Sequence, residues 1–135
     1  MKRLLSTKYS TAAFNAATLF IRIAFGALMM NHGYDKLVHF AQKKNTFMNF
    51  LGIGSTATLS LVIFAEFFCA LFIIIGLFTR LAVIPLIIVM GVALFKAHKA
   101  QFFGDGEMAA LYLTAYVGLL LIGPGRISVD GMIGK

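Results

Sequence analysis

Four long apolar segments occupy most of this chain and dictate its relation to the membrane. They run over residues 12–34, 57–78, 80–99 and 107–123, and 60% of the 135 residues are hydrophobic while only 13% are charged. A helix needs about 20 apolar residues to cross the hydrocarbon core of a bilayer. The sequence therefore predicts an all-α fold, a four-helix transmembrane bundle that forms a single membrane domain over residues 1–135.

The charged residues lie mainly at the ends of these segments. Lys and Arg number 12 against 5 Asp and Glu, which gives a formal net charge of +7. In a soluble protein this excess would suggest nucleic-acid binding, but no basic face with interleaved aromatic residues can be drawn here. We therefore expect the lipid bilayer as a partner and no nucleic acid.

Four spans place both chain termini on the same side of the membrane. That side carries six basic residues and the other side five, so the positive-inside rule favours cytoplasmic termini by a single charge. The first set is Lys2, Arg3, Lys8, Arg80, Arg126 and Lys135, and the second is Lys36, Lys43, Lys44, Lys96 and Lys99. We expect a multi-pass protein of the cell (inner) membrane. The basic start MKRLLSTKYS lacks a clear cleavage site and is expected to be retained.

Two ionisable residues interrupt the first two apolar segments. Arg22 and Glu66 each lie near the middle of their segment, so in antiparallel neighbouring helices their depths differ by about 5 Å along the axis. An unpaired charge at the bilayer centre costs at least about 2.5 kcal/mol on insertion scales. The sequence thus predicts that Arg22 and Glu66 form an ion pair. The pair either only fixes the packing of the two helices or is part of a functional pocket.

Further polar residues extend this candidate site. Helical spacing places Gly26, Gly33 and Lys36 on the same face as Arg22. The glycines are interpreted mainly as contacts that let a neighbouring helix approach closely. Lys36 adds a second basic group to the predicted pocket.

His32 and His98 end the first and third segments, which run parallel, so both are expected on the same membrane side. Histidine titrates near neutral pH, and a proton relay from either residue to Glu66 is the favoured interpretation. Two histidines without a recognised ligand spacing do not predict a metal site. The single cysteine, Cys69, excludes an intrachain disulfide and is expected to fill apolar space.

Taken together, these motifs resemble the DoxX family of small four-span membrane proteins. The resemblance rests on Arg22 with the sequence HGYDKL (32–37), on Glu66 with the helix exit GLFTR (76–80), and on the tail GPGRISVD (123–130). It implies a four-helix transmembrane bundle. Some relatives belong to quinone-linked sulfur oxidation, such as thiosulfate:quinone oxidoreductase, or to membrane complexes that manage oxidative and thiol stress.

The resemblance implies a component of a membrane redox system with a quinone as the candidate cofactor. In this hypothesis Arg22, His32, Glu66 and His98 are the candidate catalytic residues, and Arg22, Lys36 and Glu66 bind the quinone. No metal, haem or flavin is predicted, and one cysteine argues against a dithiol mechanism. Protein partners of a redox complex are expected, and an oligomer is left open. The alternatives are a non-catalytic membrane adaptor for partner proteins and a small proton or solute pathway.

Overall fold

The protein is all-helical over the residues described by this computed structural model, which are 2–97, 101 and 103–134. Three helices are long and apolar enough to cross a membrane, and a shorter apolar helix follows. We call them span 1 (Thr11–Val38), span 2 (Ser55–Ile75), span 3 (Thr79–Lys96) and span 4 (Glu107–Ile122). Two short helices, Phe40–Lys43 and Val129–Ile133, lie in the connection after span 1 and in the C-terminal tail. The predicted all-α membrane bundle is confirmed.

The helix ends follow from local sequence. Span 1 begins after Ser10, whose hydroxyl accepts a hydrogen bond from the Ala13 amide and so caps the first turn. Span 2 ends at Gly76, which adopts the left-handed conformation with φ of +75°. Glycine tolerates this conformation because it has no Cβ. The second apolar segment therefore stops as a helix before residue 78, where the hydropathy pattern alone had extended it.

The four spans close into a bundle in which each packs against the next and span 4 returns to span 1. Buried side chains from all four spans form one core, which includes Met29, Ile73, Leu86 and Tyr116. Span 1 and span 2 approach most closely at two glycines of span 1. Gly26 lies against Ala70 and Ile74, and Gly33 lies against the backbone of Glu66. These contacts fix the vertical register between the two helices.

The C-terminal tail folds back onto the bundle and closes the end that carries the chain termini. The Asp130 carboxylate accepts hydrogen bonds from the amides of Phe78 and Thr79, at 2.7 and 2.8 Å. It thereby caps span 3, whose first residues lack a side-chain cap of their own. The Asp130 amide in turn donates to the Gly76 carbonyl. The tail is thus an integral part of the fold.

Candidate functional site

Arg22 does not pair with Glu66, and this part of the sequence prediction is wrong. The guanidinium is buried and donates to four backbone carbonyls: those of Ile73 and Ile74 at the end of span 2, and those of Pro124 and Ile127 in the tail. The distances are 3.1, 3.2, 2.6 and 2.9 Å in that order. A positive charge is favourable there because helix C-termini carry partial negative charge. Arg22 therefore joins span 2 to the tail, and the hypothesis of an Arg22–Glu66 pocket falls.

The register of span 1 explains the error. Aligning the centres of the two apolar segments placed Arg22 beside Glu66, but span 1 continues as a helix to Val38. Gly33, not Arg22, lies against Glu66. The stretch from Arg22 to Gly33 measures about 16 Å along the helix axis. Arg22 consequently lies near the end of span 2, while Glu66 lies near its middle.

Lys36 is the residue that pairs with Glu66. Its Nζ lies 2.8 Å from Glu66 Oε1, and the two side chains are 21% and 4% exposed. Lys36 follows Gly33 on span 1 by about one helical turn, so its long side chain reaches back to a carboxylate at the depth of Gly33. The buried Glu66 carboxylate is thus compensated by Lys36, and not by Arg22 as the sequence predicted.

Glu66 lies on an unusual piece of backbone. Span 2 changes from α-helix to a π-helical turn over Phe64–Cys69 and then returns to α-helix. Span 3 ends in a second π-helical turn, Ala93–Ala97. Such turns are rare in proteins and are frequent at functional sites. Residues from both turns, Glu66 and Ala93, line the same cavity.

This cavity, which we call the cleft, lies between spans 2 and 3 beside the ion pair. Its volume is about 340 Å³, within the range of small-molecule sites. The lining is apolar apart from Lys36, Thr58 and Glu66. Leu61 and Ile88 line it and are also exposed on the outer surface of the bundle. The cleft therefore opens sideways, towards the lipid.

The connection between spans 1 and 2 covers one end of the cleft. Phe47, Met48 and Phe50 line it from this connection. The Phe50 amide donates to the Thr58 hydroxyl at 3.1 Å, and Lys96 Nζ lies 5.1 Å from the centre of the Phe50 ring. A cation at this distance from a ring is attracted to its face. These contacts hold an aromatic wall over the apolar space.

His32 lies on the other side of Glu66, towards span 4. The half-buried imidazole meets the Tyr112 ring edge to face, with 6.0 Å between ring centres. Tyr112 is buried in the core of the bundle. Its neighbour Tyr116 donates its hydroxyl to the Phe25 carbonyl at 3.1 Å. The relay from His32 to Glu66 stays a prediction, and Tyr112 is the ring that His32 contacts.

The remaining residues of the sequence prediction are His98 and Cys69. His98 lies outside the described residues, so its proposed meeting with His32 stays a prediction. Cys69 is buried in the core, as expected of an apolar filler. Among the described residues, no group of three or more His, Cys, Asp and Glu side chains could hold a metal ion.

Several residues at the cleft escaped the sequence analysis. Phe47, Met48 and Phe50 belong to the connection between spans 1 and 2, and Thr58 lies in the first turn of span 2; the sequence analysis assigned no role to any of them. The one available signal was the density of aromatic residues in FMNFLGIG (47–54), whose glycines allow the chain to turn back.

Comparison with known proteins places this bundle in a family. The model of the DoxX family matches residues 17–99, which is more than half of the chain and includes Arg22, Lys36 and Glu66. No curated protein and no solved structure shows significant similarity to the chain. On the strength of the family match and the all-helical membrane fold, the chain belongs to the DoxX family.

Proposed function

We propose that the protein is a component of a quinone-linked membrane redox system and that the cleft holds the quinone head group. The observation that carries the proposal is the Lys36–Glu66 pair, which is almost buried and lies at the wall of an apolar cleft open to lipid. A ring with two carbonyl oxygens needs apolar walls together with a small number of polar groups at fixed positions. The cleft supplies both.

The chemistry of the pair suits such a ligand. The Lys36 ammonium has three donors, and one of them reaches Glu66, so the others are available to a carbonyl oxygen. Glu66 has a second carboxylate oxygen that can accept a hydrogen bond from a hydroxyl. Phe47 and Phe50 offer ring faces for stacking. These groups fit a quinone without any further cofactor in the cleft.

In this proposal the quinone, a protein partner and the residues of the chain have different roles in the reaction. A quinone supplies the redox chemistry, since two electrons and two protons convert it to a hydroquinone. We assign the electrons to a protein partner of the redox system. Lys36 orients the ligand, Glu66 exchanges protons with it, and His32 replenishes Glu66 past Tyr112. Arg22 has no part in this chemistry.

The test is binding of a short-chain quinone, decylubiquinone, to the purified protein in phosphatidylcholine nanodiscs, measured by calorimetry. We expect saturable binding that weakens about tenfold or more in Lys36→Met and in Glu66→Gln, because a hydrogen bond to a charged group contributes about 1.5–3 kcal/mol. The double variant Lys36→Met with Glu66→Gln is the decisive protein, since it leaves no unpaired charge buried. Lys8→Met, remote from the cleft, is the matched control. Absence of saturable binding, or full binding by the double variant, would refute the proposal.

A second candidate function is a membrane adaptor, and the close contact of Gly33 with the Glu66 backbone favours it. In that case the Lys36–Glu66 pair only fixes the register of spans 1 and 2. The two candidates differ in decylubiquinone binding before and after exchanging the charges, Lys36→Glu with Glu66→Lys, because an adaptor has no such binding to lose. An adaptor should keep its stability and its co-purifying partners. A quinone site should keep partners and fold but lose decylubiquinone binding, because the buried position then carries the ammonium.

A further inference from the structure

The end of the bundle that carries the chain termini has an unbalanced positive charge. Five basic side chains are exposed there, and none forms an ion pair with an acidic residue within 2–97, 101 or 103–134. They are Lys2, Arg3, Lys8, Arg80 and Arg126. Asp130, in the tail at the same end, has its carboxylate engaged by the amides of Phe78 and Thr79. We call these five residues the basic rim.

The opposite end of the bundle contains ion pairs of its own. Lys36 pairs with Glu66, and Lys43 pairs with Asp35 at 3.1 Å. Lys96 lies over the Phe50 ring. Two basic residues at this end therefore pair with a carboxylate, whereas none of the five in the basic rim pairs with a carboxylate of the described residues.

Apolar side chains are interleaved with the basic rim. Leu4 and Leu5 are strongly exposed and lie between Arg3 and Lys8 in the sequence, and the exposed Tyr9 follows Lys8. At the other terminus, Ile127, Met132 and Ile133 are exposed beside Arg126. A surface with both basic and apolar side chains, directly adjoining transmembrane helices, is suited to the region where lipid head groups meet acyl chains.

We infer that the basic rim binds the head groups of anionic phospholipids. Charge complementarity selects the occupant, since none of the five cations pairs with a carboxylate of the described residues, although Arg80 Nε donates to the Leu120 carbonyl, and a phosphodiester head group supplies the opposite charge. The exposed leucine, tyrosine and isoleucine side chains bury in the same lipid layer. This surface is separate from the cleft, and its lipid binding does not depend on the quinone proposal.

The test compares retention of phosphatidylglycerol and phosphatidylcholine by the purified protein, using native mass spectrometry over a lipid titration. The variant Arg3→Gln/Lys8→Gln/Arg126→Gln removes three rim charges whose side chains make no hydrogen bond to the described part of the protein. Each basic residue near an anionic surface strengthens binding about fivefold. We therefore expect the variant to bind phosphatidylglycerol at least about tenfold more weakly, with phosphatidylcholine retention unchanged.

The control makes the same change in net charge at the opposite end, through Lys43→Gln/Lys44→Gln/Lys96→Gln, and should retain phosphatidylglycerol as the wild type does. Inorganic phosphate, added as a competitor, should not displace the lipid. Equal retention of the two lipids by the wild type, equal losses in both triple variants, or displacement by inorganic phosphate would each overturn the inference.

Discussion

Replacing Arg22 with methionine is expected to destabilise the bundle by about 3–5 kcal/mol, because more than one carbonyl is left without a donor and each such group costs about 1–3 kcal/mol when buried. Four carbonyls would lose the guanidinium at once; that of Ile73 keeps the Gly76 amide as a donor, but those of Pro124 and Ile127 have no other donor among the described residues. Arg22→Lys keeps the charge but has three donors on one nitrogen and cannot reproduce the planar fork. We expect it to lose about half as much stability. Unfolding in mixed micelles with increasing denaturing detergent measures both variants.

Arg126→Met is the matched control, because it removes an exposed guanidinium from the same end of the molecule and should unfold with the wild type. Arg22→Lys should also bind decylubiquinone with unchanged affinity if it remains folded, since Arg22 lies far from the cleft. Wild-type stability in Arg22→Met would show that the carbonyls have other donors. Weakened quinone binding in a folded Arg22→Lys protein would return Arg22 to the functional site.

Gly33→Ala is expected to cost about 1–3 kcal/mol, the usual range for an added methyl group in a close-packed interface. A Cβ at this position would lie 2.7 Å from the Glu66 carbonyl carbon and from the Phe67 amide nitrogen. Backbone atoms cannot move aside as a flexible side chain can. Spans 1 and 2 must therefore separate, which also shifts Glu66 relative to Lys36, so we expect decylubiquinone binding to weaken together with stability.

Two glycines in other spans provide the controls for this substitution. A Cβ at Gly91 or at Gly118 would meet no atom within 4 Å. Alanine is a better helix former than glycine by up to about 1 kcal/mol, so Gly91→Ala and Gly118→Ala should be neutral or slightly stabilising. Unfolding of all three variants in the same detergent series makes the comparison. If Gly33→Ala matched its controls, the close contact between the two spans would not exist in the folded protein.

Sequence reasoning located the membrane helices well and their mutual register poorly. Span 1 and span 4 begin within one residue of their predicted first residues, because a long run of apolar residues can be recognised from the local sequence. The π-helical turns at Glu66 and Ala93 could not be predicted from the sequence, because a single π-helical turn contains the same residue types as the α-helix around it. The fold of the connection around Phe50 depends on Thr58 and Lys96, which belong to other elements.

The sequence alone determined that this protein is an all-α membrane bundle, and that buried charges had to find partners inside it. Both conclusions follow from the free energy of transferring residues from water to lipid, because that free energy depends only on the residues within each segment. Only the tertiary structure decided which partners they found. Arg22 meets the tail and Lys36 meets Glu66 because glycine contacts between spans 1 and 2 set the vertical register, and such contacts between distant residues are not encoded in any one segment.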